Sequence, residues 1–159
     1  PYYNVLAQGG EGHLEVAKNI YYTTHRKAHM VLSLKPFGCM PSSQSDGVQS
    51  AVMNHFKDMI FLPIETSGEG DVNAHSRVQM ALGEAKAKTK LEFKAAIDKT
   101  GRTVEEIREY VNEHPELVSA MFKAPHAHGI VGGAANYVKH VAEQMKAKGW
   151  QPRSTSAAA

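Results

Sequence analysis

Cys39 is the one cysteine in the 159-residue chain, and its neighbours give it a setting in which a thiol can act. It stands in Lys35-Pro36-Phe37-Gly38-Cys39-Met40-Pro41-Ser42. Just before it, the apolar run Met30 to Leu34, with β-branched Val31, reads as a β-strand. Pro36 has no N–H to give a neighbouring strand and is expected to stop this one. Gly38 can take dihedrals closed to other residues, and Pro41 fixes the chain again after the thiol. The carboxyl ends of strands are where open α/β sheets keep their ligands. Such a thiol can ligate a soft metal, attack an electrophile, or simply pack. Attack requires a base in hydrogen-bond reach, with His29 and His75 as candidates, and no Cys–His pair of familiar spacing is present. Ligation meets a different limit: one thiol cannot by itself build an iron–sulfur or zinc site.

Other chemistry-bearing residues fall in loops. Glu65, Glu69 and Asp71 cluster in Glu65-Thr66-Ser67-Gly68-Glu69-Gly70-Asp71, where carboxylates and glycines can bind a hard cation such as magnesium. The spacing lacks a calcium-loop pattern. A solvated turn, with Asp71 or Asn73 capping the next helix, accounts for the same residues. His126 and His128 lie in Pro125-His126-Ala127-His128-Gly129 with no carboxylate or cysteine nearby in sequence, so a surface loop is the simpler reading. Gly9, Gly10 and Gly12 permit sharp bends or a close backbone approach, but the Gly-Lys-Ser/Thr ending of a phosphate-binding loop is missing. Gly132-Gly133-Ala134-Ala135-Asn136 would admit close contact, or an anion, at the start of the last helix.

The elements that must position these residues follow from periodicity. A helix is predicted over Gly12 to Thr24, with Leu14, Ala17, Ile20 and Tyr21 on one face beside Val16. After the Cys39 turn a helix is expected from about Gly47 to Phe56, capped by Ser45 or Asp46 and striped by Val48, Val52 and Phe56, with Ala51 broadening the stripe. Met59 to Ile64 reads as a second strand, its apolar run suited to a parallel sheet and its Pro63 to an edge. Strand, helix, strand makes a right-handed βαβ unit whose Cys39 turn and acidic loop meet at one end. Asn73 to Thr100 is strongly helical, and Gly83 marks a close approach to a neighbour. Thr103 and Glu106 form a capping box for Val104 to Asn112. The last helix runs through Lys148 to a stop at Gly149.

The fold expected is a small layered α/β/α domain around a short, mainly parallel sheet, with a helical C-terminal half. It occupies residues 1–150, and 151–159 form a disordered tail. Two strands are few for an open sheet. Either Ala124 to Gly133 hides another, or further sequence or a second chain completes the sheet. A free edge favours self-association, so a homo-oligomer is expected.

Composition narrows the partners. The chain is 42% hydrophobic and 21% charged with a formal charge of +2, ordinary for a globular domain and too near neutral for a nucleic-acid groove. Lys86, Lys88, Lys90 and Lys94 alternate with Glu84 and Glu92, as on a solvated helix face. No apolar run approaches the roughly 20 residues of a membrane span. A free thiol without a disulfide partner suits a reducing cytoplasm. The opening Pro1-Tyr2-Tyr3-Asn4 reads as a piece of a longer protein.

Taken with Asp46-Gly47-Val48-Gln49-Ser50, Leu62-Pro63-Ile64-Glu65-Thr66-Ser67-Gly68-Glu69-Gly70 and Asn73-Ala74-His75-Ser76-Arg77, the Cys39 motif resembles the carboxyl-terminal region of large proteins of the 2-hydroxyacyl-CoA dehydratase activator type. The resemblance extends from Tyr2 to about Met145. Those proteins join an activator-like ATPase region to a dehydratase-like one. The resemblance implies oxygen-sensitive iron–sulfur chemistry, with ATP-driven low-potential electron transfer to cysteine-ligated clusters. It makes Cys39 one ligand of a [4Fe–4S]-type cluster completed by the remainder of the parent polypeptide. This piece by itself would then be inactive and carry no cluster. Lys35, Phe37, Gly38, Ser42, Glu65, Glu69, Asn73 and Arg77 would line the site, with no role attached to Asn73 or Arg77. The ATPase region has no counterpart here. Two other readings stand beside this one, a structural or protein-interaction domain without a cofactor and a small cysteine-dependent enzyme.

Overall fold

Helix α1 (Gly12–Thr24) leads into strand β1 (Val31–Pro36), helix α2 (Met40–His55) and strand β2 (Phe61–Thr66). Three further helices follow, α3 (Val72–Thr100), α4 (Val104–Glu113) and α5 (Gly133–Ala147), with a short 3₁₀ turn at Pro115–Val118. The computed structural model describes residues 2–7, 9–67 and 72–152. The chain divides into two compact units, Pro1–Thr89 and Lys90–Ala159, so the boundary falls inside α3. The first unit is the α/β part and the second is helical. Among the described residues no helix is long and apolar enough to cross a membrane.

β1 and β2 pair in parallel around α2, with Val31 opposite Phe61 and Pro36 opposite Thr66. The βαβ unit expected from the sequence is therefore present. Its sheet has two strands, and Ala124 to Gly133 forms loop and turn rather than a hidden strand. Pro125 and Gly129, the latter at φ +79°, suit a turn and not a ladder.

The prolines sit in the sheet without harming it. The Val31 N–H donates to the Ile60 carbonyl at 2.9 Å and the Phe37 N–H to the Thr66 carbonyl at 3.1 Å. Alternation along a parallel strand then aims the odd-numbered residues of β1 and the even-numbered residues of β2 at each other. Pro36 and Pro63 both face the outer edges, where a missing N–H costs no ladder bond. Pro36 is thus the last strand residue and not the residue that prevents one.

Helix faces in the first unit match the expected ones in part: Val16, Ile20, Val48, Val52 and Phe56 pack into one apolar cluster, but polar residues share the buried faces. On α1 the buried residues are Gly12, Val16 and Asn19, while Leu14 and Tyr21 are about half exposed (48% and 47%). On α2 they are Ser42, Ser45, Gln49 and Val52, and Ala51 faces solvent. Polar residues are buried here because hydrogen bonds between the helices, Ser45 to Glu15 and Asn19 to Gln49, satisfy them beside the apolar contact. A small apolar cluster of Val16, Val52, Met59 and Phe61 closes the far end.

The second unit follows its sequence closely. Thr103 caps α4 in a capping box with Glu106, and Gly149 ends the α5 region at φ +61°. Its core gathers Ile107, Tyr110, Leu117, Val138, Val141 and Met145, with Ala96 of α3 and Ala135 of α5 between them. Gly83, by contrast, marks no close approach, since a Cβ there would meet nothing within 4 Å. Of the expected tail, residues 153–159 lie outside the described residues, and Gln151 and Pro152 are exposed coil.

Candidate functional site

The Cys39 turn is built in three steps. Thr66 at the end of β2 anchors it twice, its carbonyl accepting from the Phe37 N–H and its hydroxyl donating to the Lys35 carbonyl at 3.1 Å. Gly38 takes φ +72°, a region that favours glycine, and the Cys39 N–H returns to the Pro36 carbonyl at 3.2 Å. Helix α2 then begins at once. Cys39 is its N-cap residue, the Ser43 N–H donates to the Cys39 carbonyl at 3.0 Å, and Pro41 occupies the first turn.

This corrects the expected helix start near Gly47. Proline in the first helical turn is a start signal, because its missing N–H is one that the helix leaves unpaired anyway. Ser45 and Asp46 do not cap α2; they lie within it.

A glycine-rich segment backs the turn. A Cβ on Gly10, itself at φ +68°, would stand 2.4 Å from Pro41 Cγ. On Gly12 it would stand 2.7 Å from both the Pro41 carbonyl oxygen and the Tyr3 hydroxyl. The close backbone approach that these glycines permit is therefore made against the first turn of α2. Gln8, between them and Tyr3, lies outside the described residues.

Beneath the thiol lies a buried polar seam. Lys35, 3% exposed, forms an ion pair with Asp46 of α2 and has Glu15 of α1 at 3.9 Å. Glu15 accepts the hydroxyls of Ser33 at 2.8 Å and Ser45 at 2.7 Å. One turn further along both helices, Asn19 Nδ2 donates to Gln49 Oε1 at 2.8 Å. Ser42 reaches back up the seam, its hydroxyl 3.3 Å from Cys39 Sγ. One strand and two helices are thus tied together by charge and hydroxyl groups, which connect to the sulfur through Ser45 and Ser42.

The expected site residues separate into distinct groups. Lys35 and Ser42 belong to the seam and are buried. Phe37 projects into solvent at 77% exposure, with Met40 at 72% and Leu34 at 66% beside it in sequence. Glu65 is exposed and opposite Lys35 in the ladder register, yet Lys35 pairs with Asp46. Glu69 and Asp71 lie outside the described residues. Asn73 is exposed on the first turn of α3. Arg77 acquires a structural role, its Nη2 donating to the Pro63 carbonyl at 2.9 Å on the outer edge of β2.

His29 does not join Cys39. It precedes β1 while Cys39 follows it, a separation of about 20 Å along a six-residue strand, and its Nδ1 contacts Thr89 Oγ1 at 3.2 Å. His126 and His128 belong to the second unit. Among the described residues, no group of three or more His, Cys, Asp or Glu side chains is placed to hold a metal ion.

Sequence reasoning missed Glu15, Ser33 and Ser45. The available signal was spacing: Glu15 and Asn19 are four apart on α1, and Ser42, Ser45 and Gln49 recur at three and four on α2, each a single helix face. Polar residues at those intervals are ordinarily taken for a solvated face. Comparisons with known proteins add no family: no family model, no curated protein and no solved structure matches this chain.

Proposed function

We propose that this chain presents Cys39 as one thiolate ligand of a [4Fe–4S]-type cluster shared with the rest of a longer polypeptide. That polypeptide would belong to a cytoplasmic, ATP-driven low-potential electron-transfer system of the 2-hydroxyacyl-CoA dehydratase and activator type. The observation that carries the reading is the placement of the sulfur. Cys39 is partly exposed, stands at the N-cap position of a 16-residue helix, and sits on a turn held by Thr66 and Ser42. The sequence resemblance supplies the chemistry.

Four mostly thiolate ligands are the norm for such a cluster, and this chain has one thiol with Ser42 as its hydrogen-bond partner. The residues do not fit a complete cluster; they fit a single share of one. The chain's own part is accordingly to hold the sulfur in place and to leave its outer side open to a partner.

Anaerobic iron and sulfide analysis of the polypeptide that contains this segment, wild type against Cys39→Ser, tests the reading. Reduced iron content is expected in the variant; unchanged content would sink the proposal. Exposed Leu34, Phe37 and Met40 favour a second reading, a protein-interaction domain whose surface is this turn. It predicts that Phe37→Ser weakens association with the rest of the polypeptide while Cys39→Ser leaves it intact. The nucleophile reading gains no base here, because no histidine nitrogen among the described residues is a hydrogen-bond partner of Cys39 Sγ.

A further inference from the structure

The second unit carries a cavity of about 440 Å³ between the segment after the 3₁₀ turn and the start of α5. Leu117, Phe122 and Tyr137 give it apolar and aromatic walls, and Ser119, Lys123 and His126 bring polar groups to its mouth. The walls are fixed by ordinary packing. The Phe122 and Tyr137 rings meet edge to face at 6.1 Å, and the Tyr137 hydroxyl donates to the Leu117 carbonyl at 3.2 Å. Burial raises the Tyr137 phenol above its ordinary range, so it remains a neutral donor in that bond.

The polar groups at the mouth are not used up by the fold. Lys123 has no ion-pair partner among the described residues and is exposed. His126 has one long contact, 3.5 Å from Asn136 Nδ2, whose two protons have nearer acceptors in the Gly132 carbonyl at 3.0 Å and the Ile130 carbonyl at 3.3 Å. No carboxylate lines the cavity. Just ahead of α5, Glu92 accepts the Val131 and Gly132 N–H groups at 2.9 and 2.7 Å, which sets a carboxylate against the attraction of that helix end for an anion. Charge selection therefore falls to the two side chains, and shape selection to the aromatic walls.

We infer that this cavity binds a small organic anion with a planar apolar body, the ring lying against Phe122 and Tyr137 and the anionic group meeting Lys123 and His126. Its volume lies in the range of small-molecule sites, about 300–1,000 Å³, and the mixture of apolar walls with few polar groups is the usual composition of one. The inference is independent of the role proposed for Cys39.

Benzenesulfonate is a suitable probe because its charge is constant across the working pH range. Titrated into the full chain and followed by amide NMR to about 10 mM, a concentration that reveals millimolar affinity, it should give saturable shifts at Phe122, Lys123, His126 and Tyr137. Methanesulfonate, with the charge but no ring, and benzyl alcohol, with the ring but no charge, should each bind more weakly. Lys123→Gln, a change at an exposed side chain that the fold does not depend on, should weaken benzenesulfonate about threefold, as befits one solvent-exposed charge contact. Absence of saturable shifts at those amides, equal binding of benzyl alcohol, or an unaltered affinity in Lys123→Gln would each overturn the inference.

Discussion

In the first unit the helices meet through polar side chains, with Asn19, Lys35, Ser42, Ser45 and Gln49 all buried, whereas in the second the buried polar residue among those described is Asn136 and the remaining core is aliphatic or aromatic. The two kinds of interior answer different demands. Apolar packing is non-directional and stabilises in proportion to the area removed from water. A buried ion pair returns little net stability, because desolvating its charges offsets much of their attraction, but it tolerates few arrangements. The second unit is accordingly held together by volume, and the first by orientation. The oriented interior is the one that Ser42 links to the only thiol.

Removing one member of the ionic seam should break the comparison most severely. Lys35→Met keeps the side-chain bulk but leaves Glu15 and Asp46 facing a buried position without their counter-charge, at a cost of about 3–5 kcal/mol. Urea unfolding should report the loss. Amide exchange should then quicken in α1, β1 and α2 while α4 and α5 keep their protection; equal losses in both units would erase the distinction. The corresponding change in the second unit is Met145→Ala. Met145 is fully buried in the apolar cluster, and truncating it should cost about 3 kcal/mol through lost burial and a residual cavity. Here the affected amides should be those of α4 and α5.

A smaller effect is expected where the glycine segment meets α2. Gly12→Ala would place a methyl group 2.7 Å from the Pro41 carbonyl oxygen and from the Tyr3 hydroxyl. Tyr3 can swing aside but the backbone of α2 cannot without moving Cys39, so a cost of about 2 kcal/mol is expected from overpacking. A lowered thermal midpoint together with faster alkylation of Cys39 would show that the glycine segment braces the turn. An unchanged midpoint would show that α2 yields freely.

These contacts also explain which parts of the molecule could be read from sequence. α1 was placed to the residue, β1 and β2 to within two, and the Thr103–Glu106 box fully, because each rests on local rules: caps, periodicity and branched side chains. The start of α2 was misplaced by about seven residues. Ser42, Ser43, Ser45 and Gly47 are weak helix formers, and read locally they favour a loop. What makes them helical is the burial of Ser42, Ser45 and Gln49 against α1, a tertiary contact with no local trace apart from Pro41. The same contact rotates the buried face of α1, hiding Asn19 beside Val16 and exposing Leu14. For the candidate site, position is legible, since Cys39 does follow the first strand and Gly38 does turn the chain. The groups under it were not, because Glu15 and Lys35 are brought together by packing across twenty residues of sequence. Glu92 shows the same limit in the second unit. It reads as part of a solvated charged face, yet from α3 it holds the backbone just ahead of α5.

The smallest effect expected concerns the capping box, where the second unit uses charge in the exposed manner that the first avoids. Thr103 Oγ1 accepts the Glu106 N–H at 3.1 Å, and the Glu106 carboxylate accepts the Thr103 N–H at 2.7 Å. Thr103→Ala should cost about 1 kcal/mol. The Thr103 backbone N–H is the main cause holding the Glu106 carboxyl below its ordinary range, with Arg102 assisting and desolvation opposing. A carboxyl whose folded-state value is depressed contributes stability above its unfolded value and loses it as pH falls through the folded one. Glu106→Gln retains an acceptor but not the charge. It should therefore be slightly less stable than wild type near neutrality, and the gap should narrow as pH drops below about 4. A gap that stays constant to lower pH would assign the effect to geometry and leave the charge of Glu106 without a part in the cap.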